Sequence, residues 1–243
     1  MRTKIFIALL LVTGFTIAGK KVKQEKFSVE NYGKNNSGTA LEIKFEKGAE
    51  HNNPLFAVWL ADEEGHYIQT LYVSESIGKG VFKRINKSKG RWMPGEIQRP
   101  AALPYWTYQR NEKNENGGVL PTPKNPVPDA YTGATPQASF VLNVKTEQPL
   151  NGKYKIMVEL NQSWDWNEHW FNARFMDDKE YKTSCQPALV FSAEIYSDKK
   201  GVEVPLKTIG HSHYSGKDGS LTTDLSTITT ALNIAKSITI KVY

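Results

Sequence analysis

Period-two alternation, with little helical periodicity anywhere, most constrains what this chain can fold into. Phe27 and Val29, then Leu41, Ile43 and Phe45, alternate with polar or charged side chains, as half-buried strands do. Leu55 to Leu60 is a denser apolar run that ends in Trp59-Leu60. Asp62-Glu63-Glu64-Gly65 reads as a turn and Tyr67 to Val73 as the returning strand, so the two runs form a hairpin. Further strands are expected at Ser139–Val144, Tyr154–Leu160, Ala188–Tyr196, Val204–Ile209 and Ser237–Val242. An Asn151-Gly152 turn signal lies before the second of these. Short helices are expected around Val81–Ile85 and within Thr222–Ile234, the latter capped by Asp224 but weakened by its threonines. Short strands separated by turn signals, with no strand–helix–strand alternation, predict an all-β fold, an immunoglobulin-like β-sandwich. Its candidate core positions are Val58, Leu60, Ile68, Leu71, Phe140, Leu142, Ile156, Val158, Val190, Ile195, Ile238 and Ile240.

The first residues do not belong to that fold. Arg2 and Lys4 precede an apolar run from Ile5 to Ile17, and Ala18-Gly19 closes it with small side chains. Residues 1–19 therefore read as a secretory signal peptide, too short for a spanning helix. Residues 20–243 read as one domain, periplasmic or extracellular, with no other stretch suited to membrane insertion. Hydrophobic residues make up 39% of the chain, enough to bury a sizeable core. Without Arg2 and Lys4, 29 basic residues face 25 acidic ones, a modest excess. No Lys/Arg run is read as interleaved with aromatics, so nucleic-acid binding is not indicated. The single cysteine, Cys185, excludes an intrachain disulfide and reads as a small buried hydrophobe.

Residues 91–136 break the strand pattern. Prolines recur from Pro94 to Pro136, around the polar stretch Asn111 to Gly118. Irregular segments of this length in compact domains are commonly functional or mobile. The segment carries Trp92, Tyr105, Trp106, Tyr108 and Tyr131. These aromatics read either as pins that hold it to the sheet or as the lining of a flavin-sized surface.

Near its end stands Asp129-Ala130-Tyr131-Thr132-Gly133-Ala134-Thr135, followed by Pro136. One reading is a turn in which Gly133 supplies a positive φ and Pro136 keeps Thr135 extended. The other is chemical, for the run resembles the Asp-x-x-Ser/Thr-Gly-Ala-Ser/Thr motif that extracytoplasmic flavin transferases modify, and it matches every fixed position. That resemblance implies FMN attached to Thr135 as a phosphoester, with Asp129, Thr132, Gly133 and Ala134 forming the recognised segment. Tyr131 or Trp106 would stack on the ring.

A wider resemblance has the same tenor. Ala57-Val58-Trp59-Leu60-Ala61-Asp62 with Gly65 and Gln69-Thr70-Leu71, then the motif, then Gly152-Lys153-Tyr154 and Glu159, follow in the order seen in a periplasmic family, the domain-of-unknown-function family twenty-two seventy-one. It spans about residues 55 to 240 loosely. It implies an immunoglobulin-like sandwich in a redox setting, with a flavin transferase and a membrane redox protein as partners. The chain lacks the family's Trp-Asp-Gly-x-Asp stretch and carries the unusual segment Trp164 to Trp170 instead.

Other constellations are sparser. His211 and His213 would face the same way on a strand and could share a metal, with Asp218 or His169 as a further ligand. Glu159, Asp165 and Glu168 could supply a carboxylate pair. There is no Gly-x-Ser-x-Gly motif and no Gly-rich phosphate loop, so a hydrolase is not supported. The competing functional reading is a non-catalytic module whose aromatic loops, Trp92 to Tyr108 and Trp164 to Trp170, dock a carbohydrate or a protein.

Overall fold

The computed structural model describes residues 26–243, so the expected signal peptide lies outside the described residues. In chain order the strands are β1 (Ser28–Tyr32), β2 (Ala40–Lys47), β3 (Leu55–Ala61), β4 (Tyr67–Ser74), β5 (Val81–Asn86), β6 (Met93–Glu96), β7 (Thr132–Gly133), β8 (Phe140–Lys145), β9 (Lys153–Asn161), β10 (Leu189–Tyr196), β11 (Glu203–Pro205), β12 (Lys207–Ser212), β13 (Leu221–Thr222) and β14 (Ala235–Val242). Two short helices, α1 (Glu75–Lys79) and α2 (Pro104–Arg110), belong to the segment between β4 and β7.

The fold is an all-β sandwich. One sheet has five strands in the order β1-β8-β2-β14-β11, the other seven in the order β13-β12-β10-β9-β3-β4-β7, and β5 and β6 form a separate ribbon. β1 joins β8 and β7 joins β4 in parallel; every other pairing of the named strands is antiparallel. Leu41, Ile43 and Phe45 of β2, Phe140 and Leu142 of β8, and Ile238 and Ile240 of β14 meet Val58, Leu60, Ile156, Val158 and Ile195 of the facing sheet in the main core. Phe45 stacks on Phe140 at 4.8 Å, and Phe56 meets both rings edge-on.

The seven-stranded sheet is buried on its other face as well. Ala57, Trp59, Val73, Met157 and Val190 pack there against Ile77, Phe82, Leu103, Trp106 and Val127 in a second cluster. A sheet covered on both faces hides its alternation, and all of β3 is buried. The segment expected to be an irregular loop is thus largely a covering layer for this sheet. Val190 is core in this second cluster rather than in the main one.

Some expectations need correction. Ile68 is 45% exposed, because a bulge near the turn leaves it unpaired between Tyr67 and Gln69 and it lines an open cleft instead of the core. Val81–Ile85 is strand, not helix; the helical turn comes earlier, and Gly80 closes it at φ 64°. The run Val204–Ile209 is split at Leu206, with β11 in one sheet and β12 in the other. Within Thr222–Ile234 only Thr230–Asn233 forms a 3-10 turn, and the Asp224 carboxylate accepts from the Ser226 N–H in a local turn instead of capping a helix.

Candidate functional site

The motif residues begin on a 3-10 turn, Asp129–Tyr131, that follows Pro128. The exposed Asp129 carboxylate pairs with Lys79 Nζ of α1 at 2.8 Å, and Glu75 reaches the same ammonium at 3.2 Å. These two acids hold the Lys79 pKa above its ordinary value. Thr132 and Gly133 then form β7 beside Val73 and Ser74 of β4. Residues 91–136 were expected to break the strand pattern, yet the prolines do not keep this part out of a sheet. They bracket it instead, leaving Thr132 and Gly133 with the N–H groups an edge strand needs. Thr132 is a packing residue here, for a Cβ on Gly78 would sit 2.8 Å from its Cγ2.

Gly133 is fixed by close approach rather than by unusual backbone angles. A Cβ at this position would lie 1.8 Å from Tyr32 Oη and 2.7 Å from its Cζ. Tyr32 cannot readily retreat, since its ring packs 5.0 Å from that of Tyr72. Tyr72 Oη donates to the Gly133 and Ala134 carbonyls at 3.3 and 3.1 Å. Burial pushes the Tyr32 phenol up to about 12 and raises that of Tyr72 too, so both stay neutral donors at ordinary pH. Gly133→Ala is therefore expected to destabilise the protein by about 1–3 kcal/mol through overpacking. Urea unfolding of this variant and of Tyr32→Ala/Gly133→Ala checks it: the second substitution should remove most of the clash penalty.

Thr135 is half-buried, and its Oγ1 donates to Ser74 Oγ at 3.2 Å. Ser74 is fully buried and also accepts from the Phe56 N–H at 2.9 Å. Beside Thr135 opens a cleft of about 460 Å³ lined by Asn53, Glu75, Ser76, Val81, Lys83, Gly133, Ala134 and Gln137. That volume lies within the range of small-molecule sites. Lys83 brings positive charge to it and Glu75 negative charge.

The aromatic partners expected for a flavin ring lie elsewhere. Trp106 is fully enclosed in the second core, where its Nε1–H donates to Thr70 Oγ1 at 3.0 Å. Tyr131 lines a different cleft, with Tyr67, Gln69, Arg110 and Glu147. There its hydroxyl accepts from Asn36 at 3.1 Å and donates to Glu147 at 2.8 Å. Both lie off the Thr135 cleft because the covering layer needs large apolar side chains beneath it. Sequence reasoning did not find Ser74, Glu75, Ser76 or Lys83, which reach the site from β4, α1 and β5.

The histidine pair is not a shared face. β12 ends at Ser212, so His213 lies beyond the strand. His211 is buried and its Nδ1–H donates to the Ser212 carbonyl at 2.9 Å. His213 Nδ1 instead accepts from the Ser215 N–H at 3.2 Å, with its ring 4.4 Å from Tyr214. Among the described residues, no cluster of three His, Cys or carboxylate groups includes either histidine. The cluster that does occur, Asp62, Glu64 and His66, sits on an exposed turn where Asp62 already accepts from the Gly65 and His66 N–H groups.

Glu159 and Glu168 are engaged separately. Glu168 pairs with His169 at 3.3 Å, whereas Glu159 is wholly buried and accepts from the Tyr105 and Trp106 N–H groups at 3.1 and 2.7 Å. Cys185 is buried and unpaired, and burial raises its thiol pKa.

Of the aromatic loops, Trp170 packs with Tyr181, His211 and Tyr214, while Trp164 and Trp166 are 45% and 51% exposed. The Arg99 guanidinium lies between the Phe82 and Trp164 rings at 4.0 and 4.6 Å, and burial lowers its pKa to about 10. It ties the covering layer to the Trp164 loop.

No family model, curated protein or solved structure matches this chain.

Proposed function

We propose that this chain is an exported, redox-associated protein of the family twenty-two seventy-one type, with an immunoglobulin-like sandwich that carries FMN on Thr135. The observation that carries the reading is the full match of Asp129 to Thr135 to the flavin-attachment motif. The cleft beside Thr135 supports it in size, and Lys83 supports it in charge. In the attachment step, Thr135 Oγ1 forms a bond to the flavin-side phosphorus of a flavin dinucleotide. The bond from that phosphorus to the bridging oxygen breaks, AMP leaves, and the hydroxyl proton passes to a base of the transferase. The flavin, once bound, supplies electron carriage to a membrane redox partner.

This chain's residues have simpler tasks. Ala134 is small and exposed, so a transferase can approach the backbone beside Thr135. Thr135 turns its hydroxyl away from Ser74, giving up one hydrogen bond worth about 1 kcal/mol. Lys83 offsets the phosphodiester charge, and Ser76, Asn53 and Gln137 offer hydrogen bonds at the cleft wall.

The test is intact mass after co-expression with a flavin transferase in an export-competent host. Wild type is expected to gain one FMN, Thr135→Val to gain none while staying folded, and Thr132→Val to keep the acceptor. Unmodified wild type, with a known substrate modified in parallel, ends the proposal. The second reading, a carbohydrate- or protein-binding module, is favoured by the half-exposed Trp164 and Trp166. It would then stand in its place.

A further inference from the structure

The β5–β6 ribbon gathers an unusual density of positive charge. Lys83, Arg84, Lys87, Lys89 and Arg91 fall within nine residues, all exposed, and no acid interrupts them. Among the described residues none of the five makes an ion pair. The nearest acid on the ribbon is Glu96, opposite Val81 at its base. The turn is tight: the Gly90 N–H donates to the Lys87 carbonyl at 3.0 Å, and Gly90 has a φ of 71°. Beside it stands Trp92, 53% exposed, with Lys87 Nζ 4.1 Å from the ring centroid. The ribbon hydrogen-bonds to neither large sheet and is held at its base, where Phe82 enters the second core. Spread along the sequence among Ser, Asn and Gly, these cations do not read as a run with aromatics; the hairpin brings them to one projection.

We propose that this ribbon docks the protein on an anionic lipid surface. The cations face headgroup phosphates and Trp92 seats its indole at the interface. Basic residues near such a surface each strengthen binding about fivefold, and Trp is the side chain that settles at headgroup level. The ribbon is a two-stranded hairpin with one exposed indole among its cations. Single-stranded nucleic acid is bound instead along a basic groove with several stacking rings, so a lipid surface fits this shape better. Among the described residues no helix is long and apolar enough to cross a membrane, and the proposed contact is made by the surface of the ribbon. Val81 and Lys83, at the ribbon's base, also line the Thr135 cleft. Docking would hold that cleft close to the membrane whether or not Thr135 is modified.

The experiment is co-sedimentation of the full chain with vesicles of phosphatidylcholine alone and of phosphatidylcholine mixed with phosphatidylglycerol, at low and high salt. The apolar stretch Ile5–Ile17 is common to every variant, so the difference between the two vesicle types reports the charged contact. Wild type should prefer the anionic vesicles and lose the preference in high salt. The triple variant K87Q/K89Q/R91Q, which leaves Lys83 and the cleft untouched, should partition on the order of 100-fold less. Trp92→Ala should weaken binding and remove a blue shift of tryptophan emission on anionic vesicles. Both variants should melt like wild type. Equal binding to both vesicle types, no binding to either, an unaffected triple variant, or tighter binding to an oligonucleotide at the same salt would each overturn the proposal.

Discussion

Wild-type stability is expected to fall as pH rises from about 4.5 to about 8, and Glu159→Gln to flatten that fall. Glu159 is fully buried near the C-terminal end of β9 and lies against the start of α2. Burial pushes its carboxyl up to about 8, while the Tyr105 and Trp106 N–H groups and the Ser212 hydroxyl pull in the other direction and lose. Its folded pKa therefore lies above its unfolded one, so the native state binds the proton more tightly. The stability this contributes is fully present below the unfolded value and is lost as pH rises through the folded one. A shift of this size corresponds to a few kcal/mol across the window. Gln cannot ionise; it keeps an acceptor for one of the two α2 amides and sets its NH2 against the other, so it lowers stability at every pH while flattening the profile. Glu159→Ala removes the acceptor as well and is expected to cost about 3 kcal/mol or more, since it leaves a cavity and two buried N–H groups without partners. Guanidinium unfolding at about pH 5 and about pH 9 measures all three proteins. Parallel pH profiles for wild type and Glu159→Gln would show that another group carries the dependence.

Glu159 also illustrates what could be read in advance. Its position at the end of a Gly-x-Tyr strand was visible; its burial was not, because the N–H groups it serves lie more than fifty residues earlier. The five-stranded sheet was legible because solvent bathes one face, so Leu41, Ile43 and Phe45 alternate openly with half-buried neighbours. The seven-stranded sheet was harder. With both faces covered, β3 and the end of β4 show no period, and two bulges shift the faces of their partners. The split at Leu206 was hidden for another reason, since a strand that ends at Pro205 and one that starts at Lys207 look continuous until each finds its own sheet. At the candidate site the contiguous motif was legible. The cleft was not, for Glu75, Ser76, Val81 and Lys83 come from elements that no local pattern links to residues 129–135. Gly133 has a reason to be glycine in the approach of Tyr32, whatever is attached next door.

Trp106 of the covering layer and Trp92 of the ribbon should respond very differently to truncation. Trp106 is completely enclosed; its ring fills the second core with Trp59 and Leu103, its Nε1–H satisfies Thr70, and its backbone N–H satisfies Glu159. Trp106→Ala removes most of that buried volume and is expected to cost about 3–5 kcal/mol. Trp106→Phe should cost less, about 1–2 kcal/mol, because Thr70 keeps its hydrogen bond to the Tyr67 hydroxyl at 2.8 Å. Trp92, by contrast, is 53% exposed on the ribbon with Lys87 over its ring, so Trp92→Ala should stay within about 0.5 kcal/mol of wild type. Urea unfolding ranks the three, and amide hydrogen exchange locates the damage. If the covering layer is pinned through Trp106, Trp106→Ala should speed exchange at α2 and the rest of residues 75–131 well before it reaches β2, β8 and β14, whose core lies on the far side of the seven-stranded sheet. Equal losses for the two alanine variants would mean that the layer is held by something other than this ring. Uniform exchange across both sheets in Trp106→Ala would mean instead that layer and sandwich unfold as one unit, with the second core as much a condition of the fold as the first.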